Sequence, residues 1–111
     1  MTDQQPIQNI INVLESRLLR PNMYVSDDFP AIENFLNGFS IACRVCLAEI
    51  ENHYYRTEAQ VRAEAGFYGA ALHPVTLMIE QGMEREEVIK NAVALELETW
   101  KRLLAELSNN E

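Results

Sequence analysis

Cys43-Arg44-Val45-Cys46 is the stretch whose residue types and spacing first suggest chemistry. A C-x-x-C pair does redox work when its first thiol sits at a helix N-terminus, where the dipole lowers its pKa. A zinc site needs four ligands, and the chain has no second C-x-x-C. His53 and His73 could complete a two-cysteine, two-histidine set, at irregular spacing. A di-iron bundle needs Glu-x-x-His on facing helices, and this motif is absent; Glu49 and His53 stand four apart, without a second such pair. Both cysteines instead fall in mid-helix on an apolar stripe, which predicts two slow-reacting core thiols. His53 closes that stripe as a partly buried histidine, and His73 precedes Pro74 as a cap.

Nucleophilic catalysis has no support either. The three aspartates all precede Phe29, and Ser16, Ser26, Ser40 and Ser108 lie in no nucleophile-elbow context. Four glycines build no phosphate-binding loop of known spacing, so no cofactor is expected. Aromatic residues are the remaining candidates. Tyr24, Tyr54, Tyr55, Phe67 and Tyr68 can ring one end of a helical bundle, either anchoring a partner or capping the core with their hydroxyls in water.

Three amphipathic stretches would have to position these groups. Ile7, Ile10, Ile11, Leu14 and Leu18 recur in steps of three and four, which predicts a first helix ending before Pro21. Ile32, Leu36, Phe39, Cys43, Cys46, Ile50 and His53 do the same, widened by Phe35, Ala42 and Leu47. This stretch reads as the element around which the rest packs. Gly38 inside it costs about 1 kcal/mol against alanine unless a neighbouring backbone approaches there. Thr57-Glu58-Ala59-Gln60 reads as a capping box, which predicts a break near Tyr55 to Thr57. Gly66 and Gly69 bracket Phe67-Tyr68 as a turn, and His73-Pro74 opens a short helix that Gly82 ends. The last helix carries Ile89, Val93, Leu97, Trp100, Leu104 and Leu107, with Glu84, Glu86 and Glu87 at its start and Lys101 and Arg102 towards its end. Residues 20–28 form a non-helical connector, with Met23 turned into the core.

The fold class is therefore all-α: an irregular bundle of four main helices and a short fifth, in one domain over 1–111. No apolar run approaches the ~20 residues that span a bilayer. Met1 to Gln8 has neither the basic start nor the apolar core of a signal peptide, so a cytoplasmic protein is expected. Net charge is −8, from 17 acidic and 9 scattered basic residues, which argues against a nucleic-acid partner and favours a basic protein partner. The last helix has an apolar band wider than one seam, formed by Val88, Ile89, Ala92, Val93, Leu95, Leu97, Trp100, Leu103, Leu104 and Leu107. That excess predicts a homodimer with Trp100 in or near the interface. The alternative is a monomer in which the short helix from Pro74 covers it.

Arg20-Pro21-Asn22-Met23-Tyr24-Val25 resembles a segment of type II topoisomerase ATPase subunits, and Glu33 and Asn37 match the Glu-x-x-x-Asn of the helix that follows there. That resemblance implies catalytic and magnesium-binding roles for the two. The chain departs from the family in lacking the segment's two glycines, the later Asp-x-Gly-x-Gly and the glycine-rich lid. The same residues, with Phe35-Leu36-Asn37-Gly38-Phe39, are similar to small uncharacterised bacterial proteins carrying Arg-Pro-x-Met-Tyr and Phe-Leu-x-Gly-Phe. This resemblance implies a structural unit, a connector folded onto the start of the central helix, and no activity. The sequence thus points to a non-enzymatic, protein-binding or accessory factor, immunity-type proteins included. A small metal-binding or redox protein using Cys43, Cys46, His53 and Glu49 is the alternative.

Overall fold

A computed structural model describes residues 4–18, 29–47, 50–67 and 74–109. All the regular elements among them are helical. Helix α1 (Gln4–Val13) runs into a π-helical turn (Leu14–Leu18); α2 (Phe29–Cys46), α3 (Glu51–Glu64), α4 (Pro74–Glu80) and α5 (Arg85–Asn109) follow. The all-α class and the bundle are as expected, with no strand among the described residues. No helix among them is long and apolar enough to cross a membrane. The connector at 20–28, with Met23 and Tyr24, lies outside the described residues, as do Tyr68 and His73.

One apolar core draws on every helix. Ile7, Ile11 and Leu14 come from the first stretch, Leu36 from α2, Tyr54 from α3, Val75 and Met78 from α4, and Val88, Ile89, Val93, Trp100 and Leu103 from α5. The centre of the assembly is α5 and not the Ile32–His53 stretch. At 1.5 Å per residue α5 is about 37 Å long. It packs against α1, α2, α3 and α4, whereas the main contacts of α2 among the described residues are with α5 and α3.

α2 ends at Cys46 and α3 begins at Glu51, so the helices part earlier than Tyr55 to Thr57. Leu47 N–H still bonds the carbonyls of Cys43 and Arg44, and Ile50 N–H closes a turn on Leu47. Thr57 caps nothing: it is buried within α3, in phase with Ile50, Tyr54 and Val61. A capping box is a local signal, and burial of that four-residue stripe overrides it. The ends of α3 and α4 follow expectation. Gly66 (φ 92°) lets Phe67 N–H reach back to the Arg62 carbonyl at 2.9 Å, and Gly82 (φ 83°) lets Met83 N–H reach Met78 at 3.2 Å. Both are left-handed caps that satisfy otherwise orphaned carbonyls, and φ near +90° is open to glycine at no steric cost. At α5, Glu86 and Glu87 occupy the first turn, where the dipole favours them. The helix continues past Lys101 and Arg102 to Asn109, so its last turn carries no basic residue.

Candidate functional site

Three helices meet at the hydroxyl of Tyr54. Tyr54 is on the buried stripe of α3 and is 0% exposed. Its oxygen lies 2.8 Å from Ser40 Oγ on α2, 2.8 Å from Glu58 Oε2 one turn along α3, and 2.8 and 2.7 Å from the two carboxyl oxygens of Glu96 on α5. Trp100 Nε1 donates to Glu96 Oε2 at 2.7 Å, and the Trp100 ring packs against that of Tyr54 with centroids 5.1 Å apart. Arg62 pairs with Glu58 Oε2 at 3.1 Å. The Arg44 guanidinium lies over the Tyr54 and Tyr55 rings, 5.1 and 4.8 Å from their centroids.

The phenol has one proton and faces two carboxyl groups, so one of them must supply its own. Burial raises the Glu96 carboxyl above its ordinary range, and the nearby Glu58 adds to this. A neutral Glu96 donating through Oε1 to the Tyr54 oxygen, with Ser40 also donating to Tyr54, Tyr54 donating to the Arg62-paired Glu58 and Trp100 donating to Glu96 Oε2, gives each of these groups a partner. Burial, then Glu96, then Glu58, also push the Tyr54 phenol far above its usual value, so it keeps its proton. Beside the cluster is a cavity of about 30 Å³ lined by Asn37, Ser40, Glu58, Arg62, Glu96 and Thr99 among others. It admits one or two water-sized groups, far below the 300–1,000 Å³ typical of ligand pockets. This is a polar tie between three helices.

A second, open depression of about 470 Å³ lies between the end of α3, α4 and α5, with Val61, Phe67, Met78, Met83 and Leu95 on its floor. Arg102 borders it, bridging Glu64 at 2.7 and 2.9 Å and Glu98 at 3.0 Å.

Among the described aromatic candidates, burial differs from residue to residue. Tyr54 and Trp100 are each 0% exposed, held in the core by their contacts with Glu96, and cannot reach a partner. Of the wide apolar band on α5, Val88, Ile89, Ala92, Val93, Trp100 and Leu103 are buried inside the molecule, and Leu95, Leu97, Leu104 and Leu107 are partly buried. Tyr55 is about half exposed, Phe67 is partly buried, and Tyr24 and Tyr68 lie outside the described residues.

The cysteines part company. Cys43 is half-buried, and burial, with Glu96 and Cys46 nearby, pushes its thiol up to about 11. Cys46 is exposed, contrary to expectation. The inward face of α2 runs Leu36, Ser40, Cys43, Leu47, and Cys46 falls off that line. His53 is also on the surface, its Nδ1 lying 2.8 Å from Arg56 Nη2 and 3.4 Å from Glu106 Oε1. Among the described residues no three His, Cys, Asp or Glu side chains converge as metal ligands; Glu49 lies outside them.

Glu96, Ser40, Glu58 and Thr99 escaped the sequence reading. The signal was there for two of them: Glu96 is in phase with Val93, Trp100 and Leu103, and Ser40 with Leu36 and Cys43. A polar residue in phase with an apolar stripe marks a buried, bonded group.

The burial that removes these groups leaves a different surface. On α2, Ile41 is 52% and Val45 71% exposed, with Gly38, Ala42 and Cys46 exposed on the same side of the helix. Against models of known families, curated proteins and solved structures, the chain finds no match.

Proposed function

We propose that this is a cytoplasmic, non-enzymatic binding protein, an accessory factor whose contact face is the outer side of α2. The observation that carries this is the exposed pair Ile41 and Val45 on a helix whose inner side is already engaged. Contiguous apolar surface left in water is costly, and in soluble proteins it marks interaction sites. The polar cluster around Tyr54 supports the same reading: its groups are spent on one another and its cavity is too small for a substrate. The metal or redox alternative is less well served, because a thiol held near 11 is a poor ligand and a poor nucleophile at neutral pH.

The test is co-precipitation from cells holding the chain under two different tags, comparing the wild type with Ile41→Glu/Val45→Glu. At least one bound protein, either the second-tag copy or another, should be lost with the variant while circular dichroism stays helical. Recovery of the same proteins by both would remove α2 as the binding face.

A further inference from the structure

The outer side of α2 is neutral in a protein that is otherwise strongly acidic. Between Asn34 and Ala48 the only charged residue is Arg44, in a chain of net charge −8. Arg44 is turned away, onto the rings of Tyr54 and Tyr55. A basic partner would be drawn to the glutamates and would find nothing here to pair with. Two copies of the chain repel each other through most of their surfaces and can meet without like-charge contact on this one. The face also has a shape. Gly38 is exposed within the helix, and among the described residues nothing lies within 4 Å of where its Cβ would be. Nothing among the described residues accounts for an interior helix glycine at this position. One turn further on come Ile41 and Ala42, then Val45, so the stripe is hollow at one end and full at the other.

We propose that this face pairs with a second copy of the chain, the two α2 helices lying antiparallel so that Val45 of each copy sits over Gly38 of the other. The proposal rests on the reading of α2 as the binding face. A two-fold axis between Ile41 and Ala42 brings Gly38 and Val45 opposite each other; a parallel pair would set glycine against glycine and leave a gap. The antiparallel arrangement also opposes the two helix dipoles favourably. Because the copies repel elsewhere, the dimer should tighten with added salt, the reverse of a contact with a basic partner.

Light scattering on the full chain from micromolar to submillimolar concentration tests this. The wild type should approach twice the 12.7 kDa chain mass. Val45→Glu should stay at the chain mass with its helix content unchanged. Gly38→Leu enlarges the apolar stripe and yet should weaken the dimer more than about tenfold, as the loss of a central packing contact does. A wild type that remains at the chain mass throughout overturns the proposal, as does a dimer that survives Val45→Glu. Equal or tighter association of Gly38→Leu overturns the interlocking and leaves a merely adhesive patch. If a different protein is lost with Ile41→Glu/Val45→Glu while the wild type stays monomeric, the second copy is wrong and the binding face stands. If neither copy nor partner is lost, both fall.

Discussion

Helices α2 and α5 read alike as sequences, each long, amphipathic and wider in its apolar band than one seam. Their fates differ. The apolar side of α5 meets α1, α3 and α4, and Val88, Ile89, Val93 and Trp100 are fully buried. Among the described residues α2 is engaged through its Leu36–Cys43 side, and Ile41 and Val45 are exposed. Band width therefore reports how many neighbours a helix could take, not where a partner chain binds. The wider band, on α5, is absorbed within the molecule. What decides is position in the assembly: α5 passes through the middle and α2 lies on the outside.

The contrast can be broken most forcefully at Trp100. Trp100→Ala removes the largest fully buried side chain and the donor to Glu96, and should destabilise the fold by about 3–5 kcal/mol in denaturant unfolding. Val45→Ser on α2, at concentrations too low for association, should change stability by less than about 0.5 kcal/mol. Comparable costs would mean that α2 is buried by something within the chain.

Tyr54→Phe keeps the ring and deletes the hydroxyl that joins α2, α3 and α5. It should cost about 1–3 kcal/mol, the penalty for leaving buried polar groups without their partner. A loss near zero would show that Glu96 and Glu58 rearrange around the gap.

Glu96 makes stability depend on pH. Its folded carboxyl holds its proton above the ordinary value of 4.5, chiefly through burial. The resulting contribution is fully present below 4.5 and is lost as pH rises through the raised folded value, because the unfolded chain ionises first. Glu64 acts in the opposite sense: Arg102 holds it below its ordinary value, so its contribution is lost as pH falls. Its exposure to solvent keeps that part small. Stability of the wild type should therefore decline from pH 4.5 upward, and Glu96→Gln should flatten the decline. An unchanged slope in Glu96→Gln would assign the effect to other groups.

The smallest effect separates the two thiols. Cys46 should react with a thiol reagent in native buffer at close to the rate of an unfolded chain, whereas Cys43 should need denaturant to reach that rate. Equal slow labelling of both would mean that Cys46 is covered.

Local chemistry carried much of this protein into its sequence. Periodicity in steps of three and four set the helical class, because a helix repeats every 3.6 residues and an apolar face must be buried somewhere. The stops at Gly66 and Gly82 were legible because a left-handed residue is a local backbone requirement. Three matters were settled only by packing. Thr57 carries a cap signature, but its neighbours in phase, Tyr54 and Val61, needed burial against α5, and that interaction joins residues far apart in the chain. Glu96 looks like one more glutamate on an acidic helix until Tyr54, more than forty positions earlier, and Trp100 close over it. Which of two wide apolar bands stays wet depends on how many helices surround each one. Periodicity identifies the face a helix must cover; the supply of neighbours to cover it is a property of the whole assembly.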